Sequence, residues 1–274
     1  MSLERKEKKL ETLLKSLESA VIAYSGGVDS TYLLYKAQQT LGNNVTAVTA
    51  VSETYQEYEK ENAQKIAQRM GVEHLIIQTS QLSCPKFISN PPQRCYHCKK
   101  ELFGRLKEIA ETRFRAWVCE GANYDDIRDF RPGLTAGKEM GIRSPLMEVK
   151  MGKEEIRQLS QKAGLITWDM PSAACLSSRI PYGEIITAEK LKTIAAAESF
   201  LKSLGHRVVR VRHHGTTARL EVPRDEIQTL LERKEKIVKF LKELGFVYIT
   251  LDMEGFRSGS MNETLKPEDA ALHN

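Results

Sequence analysis

The stretch Val21-Ile-Ala-Tyr-Ser-Gly-Gly-Val-Asp-Ser30 predicts how the first part of the chain folds. Its apolar start, Val21–Tyr24, is typical of a buried strand, and Val28–Leu41 has a helical pattern that stops near Gly42. Small residues separate the two patterns, as in a strand-to-helix turn. We therefore expect a strand, a tight glycine turn and a helix in direct succession.

The hexapeptide Ser25-Gly-Gly-Val-Asp-Ser30 is typical of a loop that binds phosphate. Its glycines allow the backbone to approach an anion, and the N–H groups at a helix N-terminus favour negative charge. The carboxylate of Asp29, so close to the expected phosphates, predicts a bridging Mg²⁺. No Gly-Lys-Ser/Thr is present, so the loop is not of the Walker type. A plain turn of small residues is the alternative. The predicted ATP contacts are Ser25, Gly26, Gly27, Asp29 and Ser30.

Apolar runs and helical patterns alternate through the first two-thirds of the chain. Further strands are predicted at Val45–Val51, Leu75–Thr79 and Ala116–Cys119, with helical patterns between them. This order predicts an α/β fold of Rossmann-like type, a parallel sheet with helices on both faces. Ligands of such sheets bind beyond the carboxyl ends of the strands.

The pattern changes after Gly183 and predicts a second, smaller α+β domain. Its predicted elements are a helix at Thr187–Leu204 with Thr187 as N-cap, strands at Val208–Arg212 and Ala218–Val222, one long helix at Asp225–Leu244 and a last strand at Phe246–Leu251. We place the boundary near Tyr182, which gives domains 1–182 and 183–274.

Composition indicates a soluble enzyme. Of the 274 residues, 41% are hydrophobic and 28% charged, and the net charge of +5 permits an anionic substrate without requiring nucleic acid. No apolar run is long enough to cross a bilayer. Residues 1–19 predict an amphipathic helix rather than a signal peptide. We expect a cytoplasmic protein without membrane or nucleic-acid partners.

Five cysteines, an odd number without an export signal, favour metal or redox chemistry over disulfides. Cys95-Tyr-His-Cys98 is predicted just before a helix at Lys99–Thr112, and Cys175 in a remote loop. Three thiolates suggest a metal centre with one open position, and sulfur favours zinc or iron–sulfur. A redox dithiol, or a structural zinc that includes His97, is the alternative. Cys119 is expected to be a buried core thiol, and Cys84 has no obvious partner.

Polar residues follow the fourth predicted strand at the edge where ligands bind. Glu120, Gly121, Asn123 and Asp126 are therefore candidate contacts to ATP or substrate, with a solvated turn as the alternative.

Arginines provide a second set of candidate contacts. Arg210 and Arg212 alternate with valines and should share one strand face, where paired guanidinium groups suit a phosphate. An exposed charged face is the alternative. Arg179, Lys99 and Lys100 are further candidates for binding AMP or pyrophosphate, with solvated side chains as the alternative.

The hexapeptide resembles the signature of the PP-loop ATP pyrophosphatases. Ala174-Cys-Leu-Ser-Ser-Arg-Ile-Pro-Tyr-Gly183, Glu120-Gly-Ala-Asn-Tyr-Asp-Asp126 and Asp129-Phe-Arg-Pro-Gly133 together resemble the LarE family of sulfur transferases. The resemblance covers nearly the whole chain and extends to Gly255-Phe-Arg-Ser-Gly259. It implies that ATP adenylylates a carboxylate of pyridinium biscarboxylic acid mononucleotide and that sulfur then gives the thiocarboxylate of a nickel-pincer nucleotide.

The family resemblance also implies the source of sulfur. In one branch the loop cysteine, here Cys175, donates its own sulfur. In the other, three cysteines hold a [4Fe-4S] cluster whose fourth iron carries an extra sulfide, and Cys95, Cys98 and Cys175 match that branch. The matching arginines of the family lie near a phosphate site at a subunit interface, so a homo-oligomer is expected. A tRNA thiolation enzyme and a non-catalytic ATP-binding metal sensor are the rival interpretations.

Overall fold

The structure, a computed structural model, describes residues 1–55, 57–128, 130–171 and 174–265. Asp129 of the predicted Asp129–Gly133 motif lies outside the described residues. The helices are α1 (Leu3–Leu17), α2 (Val28–Leu41), α3 (Glu57–Arg69), α4 (Pro85–Ile88), α5 (Arg94–Ile109), α6 (Pro132–Glu139), α7 (Pro145–Glu148), α8 (Lys153–Lys162), α9 (Ala188–Ser203), α10 (Ile227–Glu232) and α11 (Lys234–Glu243). The strands are β1 (Ala20–Ala23), β2 (Val45–Val51), β3 (Glu73–Gln78), β4 (Trp117–Glu120), β5 (Arg210–His214), β6 (Thr217–Glu221) and β7 (Tyr248–Leu251).

The contacts between residues divide the chain into two compact units. Among the described residues, the first unit comprises 1–80 and 93–171, and the second comprises 81–92 and 174–265. The boundary that we predict near Tyr182 remains a prediction about domains, because a compact unit need not fold alone.

The first unit is built on a parallel sheet of order β3-β2-β1-β4. Successive side chains of β1 point to opposite faces. Ile22 packs in one core with residues of α1, α2 and α8, and Val21 packs in another with Phe103 and Leu106 of α5. Helices therefore cover both faces, which confirms the predicted α/β fold of Rossmann-like type.

The N-terminal helix packs through one face, as expected of the amphipathic helix predicted for residues 1–19. Leu10, Leu14 and Leu17 of α1 are buried in the first core. Among the described helices, none is both long enough and apolar enough to cross a membrane.

The second unit is a small mixed α+β structure, as predicted. Strands β5 and β6 are antiparallel, and β6 and β7 are parallel. Thr187 caps α9, its hydroxyl accepting the Lys190 N–H at 3.2 Å, so the predicted N-cap is confirmed. Val211, Leu220 and Leu241 lie in its core.

Two helix predictions need correction. The single helix predicted over Asp225–Leu244 is wrong, because Arg233, with φ −104° and ψ 12°, separates α10 from α11. Residues 232–236 are all charged, so no apolar side chain packs into the core there to hold a continuous helix. Helix α5 begins at Arg94 instead of Lys99, so the cysteine pair lies within its first turns.

Candidate functional site

The predicted phosphate loop lies between β1 and α2, as the sequence indicates. Gly27 is the N-cap of α2, and the first turn contains Asp29. The two serine hydroxyls are 3.0 Å apart, and the Ser25 N–H donates to Ser30 Oγ at 3.3 Å. Tyr55 donates its hydroxyl to the Ser25 carbonyl at 3.0 Å. The loop is thus held by its own side chains, while the N-terminus of α2 is available to an anion.

The two loop glycines have different surroundings. Gly26 has φ +74°, and a Cβ there would lie 3.1 Å from the Cβ of Ala63. Among the described residues, a Cβ on Gly27 would meet only Ser25 Oγ, at 3.4 Å. Gly26 is therefore required by backbone conformation and packing, whereas Gly27 borders open space in front of the helix.

Gly121 has a structural requirement of its own. A Cβ at this position would lie 2.8 Å from the Ser30 backbone nitrogen. The absence of a side chain lets the segment after β4 pass directly against the first turn of α2, so Gly121 shapes the site. A direct contact of Gly121 with ATP remains a prediction.

Asp29 is the centre of a polar group at the carboxyl end of the sheet. Its Oδ2 accepts from Lys153 Nζ at 2.7 Å and from Asn123 Nδ2 at 3.3 Å. Its Oδ1 is buried and has no hydrogen-bond partner among the described residues. A buried acceptor without a donor fits a cation ligand, so the site is compatible with Mg²⁺.

Three of the predicted polar contacts at the end of β4 and after it are buried, so they are not the solvated turn residues of the alternative. Glu120, Asn123 and Asp126 are 5%, 3% and 5% exposed. Glu120 forms an ion pair with Lys99 Nζ at 3.1 Å. Burial raises the pKa of Asp126 above its ordinary value, against the opposing effects of the Asn123 N–H and Arg131.

The cysteine pair lies in the first unit, at the start of α5. Cys95 is exposed and Cys98 is half-buried. Residues three apart lie on one side of a helix, so both thiols can act toward the same ligand. Thiolates near a helix N-terminus are also favoured electrostatically. This donor set fits a soft metal or an iron–sulfur cluster.

Cys175 is exposed and lies in the second unit, directly before a 3₁₀ turn at Leu176–Arg179. Arg179 Nη1 donates to the carbonyls of Ala174 and Cys175, at 2.6 and 3.0 Å. The same guanidinium binds both oxygens of Glu198, at 2.8 and 2.9 Å. Arg179 is only 1% exposed, so its position indicates a residue that shapes the Cys175 loop.

Arg210 and Arg212 are both buried, so the alternative of an exposed charged face is wrong. Arg212 donates to both oxygens of Glu221, at 2.8 and 2.6 Å, and to the Ser178 carbonyl at 2.7 Å. Arg210 donates to the Val209 carbonyl and lies over the Phe256 ring. Their predicted role in phosphate binding is untested by these contacts.

The remaining cysteines differ in environment. Cys119 is buried in β4, as predicted, and burial raises the pKa of its thiol to about 12. Cys84 is half-buried at the start of α4.

Within the described ranges, no group of three or more His, Cys, Asp or Glu side chains is arranged to hold a metal ion.

Sequence reasoning missed the partners of its candidate residues. Lys153, Glu198 and Glu221 pair with Asp29, Arg179 and Arg212, respectively. Lys153 is separated from Asp29 by 124 positions, so nothing in the local sequence indicates the first pair. The two glutamates occur in a helix and a strand of ordinary charged pattern, which gives no signal.

The fold and the glycine loop define a PP-loop protein. A family described as "Queuosine biosynthesis protein QueC" matches residues 19–88, which include the loop. An uncharacterized protein of Synechocystis sp. is 45% identical over 265 residues, covering 96% of this chain and 99% of its own. The pyridinium-3,5-bisthiocarboxylic acid mononucleotide synthase of Lactiplantibacillus plantarum is 40% identical, covering 96% of each chain. An uncharacterized protein of Methanocaldococcus jannaschii is 32% identical, covering 87% and 90%.

The 40% identity to the Lactiplantibacillus plantarum synthase, over 96% of each of the two chains, shows the family. The chain belongs to the LarE family, as the motifs around Glu120 and Cys175 indicate.

Proposed function

We propose that the protein is an ATP-dependent sulfurtransferase that converts a carboxylate of pyridinium biscarboxylic acid mononucleotide into a thiocarboxylate. A carboxylate oxygen attacks the α-phosphorus of ATP and pyrophosphate leaves. A sulfide sulfur then attacks the carboxyl carbon of the acyl adenylate, and AMP leaves with the former carboxylate oxygen. Two such rounds give the bisthiocarboxylate named for the Lactiplantibacillus plantarum relative.

One observation carries the ATP-dependent part of the proposal. Gly27, at the N-cap of α2, borders open space into which helix N–H groups point, and Ser25 and Ser30 adjoin it. This arrangement suits phosphate. The free buried oxygen of Asp29 would hold Mg²⁺, which would neutralise phosphate charge.

The sulfur source that we propose is a [4Fe-4S] cluster held by Cys95, Cys98 and Cys175. When bound, such a cluster supplies sulfide from its fourth iron. Two of the thiols lie on one side of α5, and the third lies in a loop fixed by Arg179. Cluster chemistry requires a reducing compartment, so we propose a cytoplasmic location.

The substrate is an anionic mononucleotide, and cationic side chains are the natural partners of its phosphate. We propose Arg210 and Arg212 for this role, in a homo-oligomer, with Glu120 and Asp126 near the reacting carboxylate and no nucleic-acid partner. Both arginines already have partners in their own unit, so substrate binding would share or exchange them.

The test is an anaerobic reaction of the purified, cluster-reconstituted protein with ATP, Mg²⁺, sulfide and the mononucleotide. We expect one AMP and one pyrophosphate for each thiocarboxylate detected by mass spectrometry. Formation of thiolated nucleoside in bulk tRNA instead would indicate a tRNA thiolation enzyme. ATP binding without pyrophosphate release, with either substrate, would refute the enzymatic proposal.

A further inference from the structure

Lys153 lies closer to the Asp29 carboxylate than Asn123 does, and neither the resemblance nor the predicted chemistry assigns it a role. It is the first residue of α8, and its Nζ lies 2.7 Å from Asp29 Oδ2. The two residues are 124 positions apart in sequence. The ion pair is partly exposed, with side-chain exposures of 29% and 19%, so the ammonium can leave the carboxylate without unfolding the helix.

Hydrogen bonds hold Lys153 at its backbone, while its side chain is partly exposed. Its backbone N–H donates to Asp125 Oδ2 at 2.7 Å, and the Asp125 N–H donates to Asn123 Oδ1 at 2.9 Å. Asn123 in turn reaches Asp29 Oδ2 at 3.3 Å. The loop after β4 therefore anchors the start of α8 beside the phosphate loop.

The negative charge of the Asp29 carboxylate opposes phosphate binding unless a cation balances it, and the Lys153 ammonium provides such a charge. A bare carboxylate in the first turn of α2 would repel the phosphates that the same turn is shaped to receive. Asp29 Oδ1 is buried and lacks a hydrogen-bond partner among the described residues, while Oδ2 is neutralised by the ammonium. The single negative charge of Asp29 is thus already balanced through Oδ2, so a metal ion at Oδ1 would have to share that charge with the ammonium.

We propose that Lys153 stands in for the divalent cation on Asp29 whenever the metal is absent. A divalent cation and the ammonium then compete for the same carboxylate. The inference rests on the proposed function only in that the site binds ATP with a metal. It makes Lys153 a positioning residue that keeps the loop receptive to phosphate.

The test compares Lys153→Met with Lys162→Met, which removes an exposed lysine from the last turn of the same helix. The first measurement is Mn²⁺ binding without nucleotide, followed by the paramagnetic signal of the free ion. We expect Lys153→Met to bind Mn²⁺ about tenfold more tightly than wild type, because the competing charge is gone. Lys162→Met should match wild type.

The second measurement is ATP affinity by calorimetry in EDTA and in Mg²⁺. Lys153→Met should lose about tenfold in EDTA and much less in Mg²⁺, because the metal replaces the missing charge. Lys153→Arg, which keeps the charge, should behave as wild type in both measurements and also controls for folding.

Two outcomes would overturn the inference. Unchanged Mn²⁺ affinity in Lys153→Met shows that the ammonium does not compete with metal. If Lys153→Met loses the same ATP affinity with and without Mg²⁺, Lys153 acts as a direct phosphate ligand or has a structural role. Either result is independent of thiocarboxylate formation by the wild-type protein. If instead Lys153→Met shows the expected binding shifts but the wild-type protein forms no product, the inference stands and the proposed function fails.

Discussion

Gly27 offers the sharpest test of the phosphate loop at the level of a single residue. In Gly27→Val, the new Cβ would lie 3.4 Å from Ser25 Oγ, its one near contact among the described residues, and the branched side chain would extend into the space in front of α2. We expect the thermal unfolding temperature to change little and ATP affinity to fall by at least about tenfold, measured by calorimetry.

The control is Gly104→Ala on α5, where the nearest atom to a new Cβ is Met140 Cε at 3.9 Å. This variant should fold and bind ATP normally. Near-normal ATP affinity in Gly27→Val would contradict the assignment of the loop.

Glu198 should make stability depend on pH. Burial alone would raise its pKa, but the charges of Arg179 and Arg210 lower that pKa below the ordinary value. A depressed folded pKa gives stabilisation that is present above the unfolded pKa, about 4.3, and is lost as the pH falls through the folded value. Glu198→Gln should therefore be less stable than wild type at pH 7, by about 3 kcal/mol, with a gap that narrows in acid.

Urea unfolding between pH 7 and about pH 3.5 measures this gap. Glu243→Gln, a neutralised exposed glutamate on α11, is the control and should show no such trend. A gap for Glu198→Gln that stays constant down to pH 3.5 would argue against the charged pair as its origin.

At the level of elements, an ion pair joins β5 to β6 inside the second unit. Arg212 is 5% exposed, Glu221 is 0% exposed, and both guanidinium-to-carboxylate contacts are 2.8 Å or shorter. Arg212→Ala leaves the buried Glu221 carboxylate with the partly exposed Arg219, 3.1 Å away, as its remaining ion-pair partner among the described residues. We expect Arg212→Ala to destabilise the protein by about 3–5 kcal/mol, and Arg212→Ala with Glu221→Ala by less than that single change.

A double-mutant cycle by urea unfolding checks this expectation. The measured stability also decides how the proposed binding of substrate phosphate by Arg212 must be tested. If Arg212→Ala is partly unfolded, it loses substrate affinity whether or not Arg212 contacts the substrate. If Arg212→Ala is as stable as wild type but binds the mononucleotide weakly, the guanidinium acts mainly on substrate. Unchanged affinity and unchanged size by light scattering for Arg210→Ala with Arg212→Ala would leave both arginines structural.

At the scale of the whole molecule, sulfur delivery from the proposed cluster and sulfur donation by Cys175 itself make opposite predictions. If Cys95, Cys98 and Cys175 hold one cluster, replacing any of them by Ala should abolish the bound iron and sulfide together with turnover. The wild-type protein should turn over repeatedly with added sulfide and keep its mass. Anaerobic metal analysis and intact-protein mass spectrometry provide the measurements.

Cys84→Ala is the matched control, because Cys84 is a half-buried cysteine outside the proposed ligand set. It should retain iron and activity. A dehydroalanine at position 175 after a single turnover, with Cys95 and Cys98 dispensable, would refute the cluster and leave the ATP site intact.

The sequence alone determined the features that depend on neighbouring residues. Val28–Leu41 is a helix with the predicted bounds, and Val45–Val51 is a strand with the predicted bounds. Thr187 is the predicted N-cap. Hydrophobic periodicity, glycine turns and helix caps each depend on a few neighbouring residues. The order of these local signals along the chain is therefore enough to predict the α/β fold and the position of the phosphate loop.

Only the tertiary structure decided which charges meet. Lys153 reaches Asp29 across 124 residues, and Glu198 and Glu221 neutralise arginines that the sequence pattern allowed to be solvated. The helix break at Arg233 likewise has no glycine or proline from which the sequence could predict it. A charged residue looks the same in sequence whether it lies in water or in an ion pair. Its partner is set by how distant elements pack, because burial is favourable only where that packing supplies the opposite charge.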